Sequence, residues 1–352
     1  MNTRRIDGWR AAFWITLGIY LLMILFPFYW LVKTSMESPF ALAQFPPLLV
    51  PDLFNAGQVG EALVSVGPYA LFLPGLFLLV LSWYLGGQVE DREDQPAAVS
   101  LMRGIGWLGM AGGAAWFLWN AGLLVNYEQV LLDEGFSRYL LNSFFLASSS
   151  AILTVILAIL GSYAVARLRF PGKNVFLQSI LLIYVLPGVL LIIPLFAMLA
   201  GIQEVTPLVF IDSLPGLLLP YLAQTLPVGM YMLSSYFKTV PPEIEEQGLV
   251  DGCTRLSVIW RITIPLSVPA IITVGIYTFM IGWNEFLYAY VFLRSSDKLT
   301  MPIGIQYLFQ SAHSTEHLVM AASVITTVPV IALFLAFERF IGAGLTAGGV
   351  KA

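Results

Sequence analysis

Eight runs of about 20 apolar residues, none with a charge at its centre, divide this sequence, and a run of that length is what a helix needs to cross the hydrocarbon core of a bilayer. Their cores lie at 11–32, 68–85, 104–125, 139–166, 175–200, 214–236, 266–293 and 318–341. Inside a bilayer each backbone polar group must be satisfied within its own segment, so spans of this kind are helices. Composition agrees, with 58% hydrophobic residues, 11% charged residues, 24 Phe, 15 Tyr and 9 Trp in 352 positions. The expected fold is all-α: a polytopic membrane bundle of about eight transmembrane helices. The first run follows Arg4, Arg5 and Arg10 as a signal peptide would, but it is too long for such a segment and ends in "FPFYWLVK" without a small-residue cleavage site. It reads as a retained span.

Cytoplasmic loops carry the excess of Lys and Arg, which sets orientation. With the N-terminus inside, eight spans return the C-terminus to the same side, and 13 of the 17 Lys and Arg residues then fall there. Only Lys33, Arg138, Arg294 and Lys298 fall opposite. Both termini are therefore expected in the cytoplasm. The net charge of −4 arises from few groups, and no basic patch interleaved with aromatics occurs, so nucleic acid is not an expected partner. The lone Cys253 excludes an internal disulfide framework and lacks the companions of a zinc or iron–sulfur site.

Three motifs of soluble proteins need weighing. "GIGWLG" (104–109) matches a dinucleotide fingerprint, but it opens a membrane run with no strand before it, so helix packing is the better account, with Gly109 and Gly113 as a small-residue pair. "HSTEH" (313–317) matches an inverted zinc-protease pattern in which His313 and His317 would ligate zinc and Glu316 would act as base. These are the only two histidines, and no third ligand is evident. The "PGKN" at Pro171 lacks the upstream Gly and the Ser or Thr of a phosphate-binding loop, so this chain cannot hydrolyse ATP alone.

One polar stretch, "PPEIEEQGLVDGCTRLSVIWRITIP" (241–265), stands between two membrane runs on the expected cytoplasmic side. Pro241 and Pro242 fit a first helical turn, Glu243, Glu245 and Glu246 suit the positive end of its dipole, and Gly252 suits a left-handed stop. Thr254 can cap a second short helix with Leu256, Ile259, Trp260 and Thr263 along one face before Pro265. Physics leaves open whether this is a docking element or an ordinary solvated loop.

The stretch resembles the coupling loop of binding-protein-dependent ABC importer permeases, whose pattern is E-A-A, three residues, Gly, nine residues, then I-x-L-P. Here the matching positions are Glu246, Gln247, Gly248, Gly252, Ile262 and Ile264–Pro265, with spacing kept and with Gln247, Gly248 and Ile264 departing from it. "GWNEFLYAYVFLRSSDKLTMPIGI" (282–305), "SYAVARLRFPGKN" (162–174) and the ending "GLTAGGVKA" (344–352) resemble the sugar-importing branch, the ending being similar to the tail of the smaller maltose-type membrane subunit. "FPFYWLVKTS" and "FPPLLVP" resemble the family's first span and outer segment. The family core has six spans, so two here form an inserted hairpin.

The resemblance implies residues 1–53 as N-terminal end, first span and outer segment, 54–125 as the hairpin, 126–343 as the core permease domain and 344–352 as a cytoplasmic tail. It implies an ATP-driven importer subunit, not an enzyme, in a bacterial or archaeal inner membrane. This subunit would move a maltose- or oligosaccharide-like sugar by alternating access, with a non-sugar solute or the His313/Glu316/His317 protease as alternatives. The implied partners are a larger permease subunit, an ATPase dimer that binds ATP and Mg, an external solute-binding protein, the sugar and the lipid bilayer, with no cofactor in this chain. Glu246, Gln247, Gly248, Asp251, Gly252 and Pro265 would meet the ATPase, and Gly344, Leu345, Thr346, Ala347, Gly348, Gly349, Val350 and Lys351 would reach between the ATPases. Asn284 and Glu285, costly at membrane depth unless they face protein or water, are candidate substrate-pathway residues. Pro187 and Pro194 are expected to kink the fifth span, and Asn142, Ser143 and the serines at 148–150 to make helix contacts.

Overall fold

The computed structural model describes residues 8–37, 73–74, 76–80, 97–120, 123–133, 135–310 and 316–346. Among the described residues every regular element is helical: α1 (Gly8–Ser35), α2 (Ala97–Asn120), α3 (Phe136–Arg167), α4 (Lys173–Val185), α5 (Val189–Val205), α6 (Leu214–Phe237), α7 (Pro242–Val250), α8 (Arg255–Val258), α9 (Val268–Trp283), α10 (Leu287–Phe292), α11 (Met301–Gln310) and α12 (Glu316–Thr346), besides shorter turns. Four of them, α1, α3, α6 and α12, are long and apolar enough to cross a membrane, and up to six spans result if two bent pairs each count as one.

Those bent pairs change two expected spans. The run at 175–200 is broken between α4 and α5, which meet at 105°. Pro187 forces the break: it disfavours helical backbone in the residue before it, and Leu186 is extended at ψ 130°. Pro194 is carried inside α5. The run at 266–293 ends early at Trp283, and α10 starts anew because Glu285 accepts hydrogen bonds from the backbone N–H groups of Tyr288 (2.8 Å) and Ala289 (3.0 Å). At its other end, the segment 255–266 meets α9 at 83°. The expected span at 104–125 overlaps α2, which is not among the helices long and apolar enough to cross, whereas most of the expected span at 68–85, and much of the inserted hairpin at 54–125, lies outside the described residues.

The chain divides into two compact units, drawn from 1–134 with 308–325 and from 135–307 with 326–352. In the first, Asn126 donates from Nδ2 to the carbonyls of Ser35 (2.8 Å) and Glu37 (2.9 Å), while the Tyr127 and Ser35 hydroxyls share a 2.6 Å hydrogen bond. Lys33 pairs with Glu37, and both are buried, so Lys33 acts here as an internal partner for a carboxylate.

The second unit is built on α3, α6 and α9. Without a hydrophobic driving force between helices in lipid, close approach of small residues and interhelical hydrogen bonds hold such a bundle together. A methyl on Gly282 would lie 3.0 Å from Ser150 Oγ and 3.2 Å from Ala147 Cα, and one on Gly229 would lie 3.1 Å from Thr154 and 3.3 Å from Ala158. The Thr154 and Thr225 hydroxyls are 2.6 Å apart, and Ser162 donates to the Met230 carbonyl at 3.0 Å. Leu146, Leu217, Tyr221 and Phe292 fill one core cluster, and Ala158, Leu233, Phe237 and Val274 another.

Beside the start of α3 the connecting segments are tied into a platform. Asn142 donates to the Asp297 and Leu299 carbonyls (3.0 and 2.9 Å), and Ser143 Oγ accepts from Met301 N (2.8 Å). Asp212, in left-handed backbone at φ 55°, accepts from the hydroxyl and N–H of Ser295, from Arg294 N–H and from Lys298 Nζ. The Ser295 bonds above all, with those from Arg294 and Lys298, hold its carboxyl well below the usual carboxylate range. A lowered folded value means stability that is present above the unfolded pKa, about 4, and lost only as pH falls through the folded one. Asp212→Asn, which keeps a residue tolerant of left-handed backbone, is therefore expected to lower the melting temperature by the same amount from pH 5 to 8. The gap should close only below about pH 4, as thermal unfolding of the purified permease across pH would show.

Candidate functional site

The 241–265 stretch folds as a helix, a stop and a second helix. Pro241 and Pro242 open α7, and its end is closed by Gly252 at φ 89°, with Gly252 N–H donating to the Leu249 carbonyl (3.2 Å) and Cys253 N–H to the Gly248 carbonyl (3.0 Å). This pair of bonds satisfies the last carbonyls of the helix and needs a left-handed residue, which glycine adopts freely. Thr254 Oγ1 then accepts from Ser257 N–H at 3.3 Å and starts α8. The chain passes directly into a π turn, Ile259–Thr263, and a short helical turn, Ile264–Leu266, before α9. The wider π turn rotates the register, so the expected single face of Leu256, Ile259, Trp260 and Thr263 is split. Val258, Ile259 and Thr263 point inward, and Leu256 and Trp260 outward.

A buried ion pair fixes this hairpin to α3. Arg167, the last residue of α3, donates from Nε to Glu245 Oε2 (2.9 Å) and from Nη2 to Glu245 Oε1 (3.1 Å) and the Val240 carbonyl (2.7 Å). Thr263 Oγ1 donates to Glu245 Oε1 at 3.1 Å. One carboxylate thus joins α7 to the end of α3 and to the turn leading into α9. The fork of a guanidinium matches a carboxylate in two parallel bonds, which fixes orientation as well as distance.

Around this anchor, Gly248 faces inward, where a methyl would meet Ile262 Cδ1 at 2.6 Å, so the glycine makes room for the Ile262 side chain. Glu246, Gln247, Asp251, Gly252 and Pro265 are all exposed. So are Glu243, Ile244, Val250, Leu256 and Trp260, with Val250 87% exposed. The result is a knob, anchored through Glu245, that exposes apolar side chains and carboxylates together.

The other candidate residues are placed elsewhere. Glu285 is buried and uses both oxygens to start α10, while Asn284 is exposed and donates from Nδ2 to the Met280 carbonyl at 2.8 Å. Gly344, Leu345 and Thr346 end α12, and Ala347–Lys351 lie outside the described residues. His313 also lies outside them, Glu316 begins α12, and His317 is buried with Nδ1 accepting no hydrogen bond from the described residues. Among the described residues no group of three metal-binding side chains is brought together.

Residues 157–346 match the family described as binding-protein-dependent transport system inner membrane component. This chain belongs to that family. The match runs from within α3 through the knob to the end of α12. The permease is 42% identical over 216 residues to the inner membrane ABC transporter permease protein YcjP of Escherichia coli K12, which covers 61% of this chain and 75% of that protein. It is 35% identical to the trehalose/maltose transport system permease protein MalG of Thermococcus litoralis, over 65% of this chain and 81% of the relative. A solved bacterial ABC transporter involved in alginate import shares the fold, with a TM-score of 0.57 at 18% identity over 97% of this chain and 99% of that one.

The permease is thus a transport subunit and not an enzyme, ATP being hydrolysed by a partner ATPase, and the family membership removes the protease alternative. The sequence placed Thr263 on a helix face and paired neither it nor Arg167 with Glu245. The spacing of Glu245, Gly248 and Leu249 marks one inward face of α7, but nothing local tells which distant cation meets the glutamate.

Proposed function

We propose that this permease carries a sugar across a bacterial or archaeal inner membrane by alternating access, as the smaller of two different membrane subunits. The knob of α7 and α8 is the seat of a cytoplasmic ATPase subunit. The observation that carries this reading is the exposed apolar tip of Ile244, Val250, Leu256 and Trp260 on a segment too short to span and bolted down by a buried ion pair. Such a patch outside the bilayer calls for a protein partner. Glu246, Gln247, Asp251 and Gly252 rim the contact, Gly248 shapes it from beneath, and Pro265 directs the chain from it into α9.

In this reading both termini are cytoplasmic, the full chain has eight spans with 54–125 as a peripheral hairpin, and the tail at 344–352 reaches between the ATPases. This chain carries no cofactor, and ATP and Mg belong to the ATPase dimer. An external solute-binding protein delivers the sugar. Asn284 borders the pathway with its exposed amide, and Glu285 shapes it by fixing the α9–α10 break. The trehalose/maltose permease among the relatives supports a sugar, as does the 282–305 segment.

Co-purification with the neighbouring-gene products, followed by ATPase assays with binding protein loaded with trehalose, maltose or arabino-oligosaccharides, tests this. At least one sugar is expected to stimulate hydrolysis. Stimulation by none of them would sink the sugar reading in favour of another solute, and failure of any ATPase to co-purify would sink the docking assignment.

A further inference from the structure

We propose that this chain carries its own sugar subsite, in the cavity formed where the α4–α5 break faces α6, α9 and α10; the inference rests on the sugar reading above. The cavity measures about 270 Å3 and is lined by Gly188 from the break, Gln224 from α6, Tyr277 from α9, Tyr184 from α4 and Tyr288 from α10, among aliphatic neighbours.

Four observations point to a polyhydroxylated occupant. Non-helical backbone within a membrane bundle is tolerated where it is buried in protein or lines a cavity, and the 186–188 break lines this one. Its Gly188 carbonyl is satisfied by the Tyr288 hydroxyl at 3.1 Å, so the wall is built and held. Gln224 Oε1 is buried and accepts no hydrogen bond from the described residues. A buried amide oxygen without a donor is costly at low dielectric, so the site as it stands lacks a donor that a hydroxyl can supply. Finally, tyrosine rings offer apolar faces to the C–H face of a pyranose and hydroxyls to its edge, the amphipathic match a sugar requires.

Size narrows the class. Pockets for drug-sized ligands run from roughly 300 to 1,000 Å3, so this cavity fits one pyranose ring at a time. Access is controlled at Gly188: a methyl there would lie 3.8 Å from Gln224 Nε2 and 4.0 Å from Tyr288 Oη, and a larger side chain would occupy the space between them. Glu285 positions the site by accepting the Tyr288 N–H at 2.8 Å.

The test uses the full transporter, with its second permease, ATPases and binding protein, in proteoliposomes supplied with radiolabelled trehalose and maltose. Gln224→Met removes the amide at similar volume, and Gly188→Val narrows the cavity from ordinary right-handed backbone at φ −53°. A neutral hydrogen bond corresponds to roughly a two- to tenfold change, so Gln224→Met is expected to lower saturated uptake by about that factor and to shift the trehalose-to-maltose ratio. ATPase stimulation by loaded binding protein and complex yield should stay near wild type. Gly188→Val should lower uptake further with the complex intact. Unchanged uptake and ratio in both variants, or losses that merely track complex yield, would overturn the subsite and leave a water-filled packing defect. Wild-type complex that takes up neither sugar, nor arabino-oligosaccharides, would overturn the sugar reading itself, and with it this inference.

Discussion

Arg167→Met is expected to destabilise the permease by about 3–5 kcal/mol, the cost of leaving one partner of a buried ion pair without the other. Glu245 is 4% exposed, and its carboxylate receives two hydrogen bonds from Arg167 and one from Thr263. The same substitution strips the Val240 carbonyl of its donor. Replacing both partners, as Arg167→Met with Glu245→Met, removes the uncompensated charge and is expected to restore most of the stability, because well-packed apolar pairs often match buried ion pairs. It does not restore the tie between α3, α7 and the turn before α9. The double variant should therefore reach the membrane at near wild-type level and yet transport poorly. Thermal unfolding and membrane level measure the first effect, and binding-protein-stimulated uptake the second. Full transport in the double variant would mean that the ion pair contributes folding stability alone.

Gly252→Asp is expected to abolish productive ATPase association while the permease still folds. The left-handed backbone of Gly252 costs a side chain on the order of 1 kcal/mol, and among the described residues nothing beyond its two chain neighbours lies within 4 Å of an added Cβ. Space is available within the permease, so any larger penalty must come from a partner surface. The new carboxylate would also stand beside Asp251 on the carboxylate rim. Gly252→Ala carries the same backbone cost without the charge and is expected to keep part of the activity. Membrane level, recovery of the second permease, co-purified ATPase and uptake should be read together. Wild-type uptake with full ATPase recovery in the Asp variant would refute the docking assignment, and loss of the folded permease would reduce Gly252 to a structural turn.

What the sequence made legible was what local chemistry determines. Two prolines opened α7, Gly252 closed it, and Thr254 capped α8, because each of these depends on neighbours within about four residues. Of the polar residues at the start of α3 expected to make helix contacts, Ser143 meets Met301 at the start of α11, whereas Asn142 bonds the Asp297 and Leu299 carbonyls of a connecting segment. Run length located α1, α3, α6 and α12 as candidate spans, but not the breaks in the fifth and seventh runs. Pro187 was expected to bend the fifth span, and the bend of 105° is large enough to make two helices, while the similar Pro194 leaves its helix unbroken. Only the surroundings of each ring, and the partners available to the freed carbonyls, distinguish those outcomes. The seventh span ended early because Glu285 found N–H donors three and four residues ahead, a local event hidden by the hydrophobic run around it. Arg167 pairs with a residue 78 positions away, and such a pairing leaves no local trace. The Gln224 cavity joins five helices and was equally invisible.

The attachment of α7 has a mechanical consequence. The helix has two load paths, a covalent one through the π turn into α9 and a hydrogen-bonded one through Glu245 into α3. A push on the knob cannot be absorbed as loop flexing, since both paths end in helices that pack closely against each other and against α6. With 32 residues at about 1.5 Å each, α3 is a strut of about 48 Å, and its far end carries the platform tied through Asn142 and Ser143. In the proposed docking reading, a displacement of the knob passes into α3 and α9 together, and α3 carries it toward the platform.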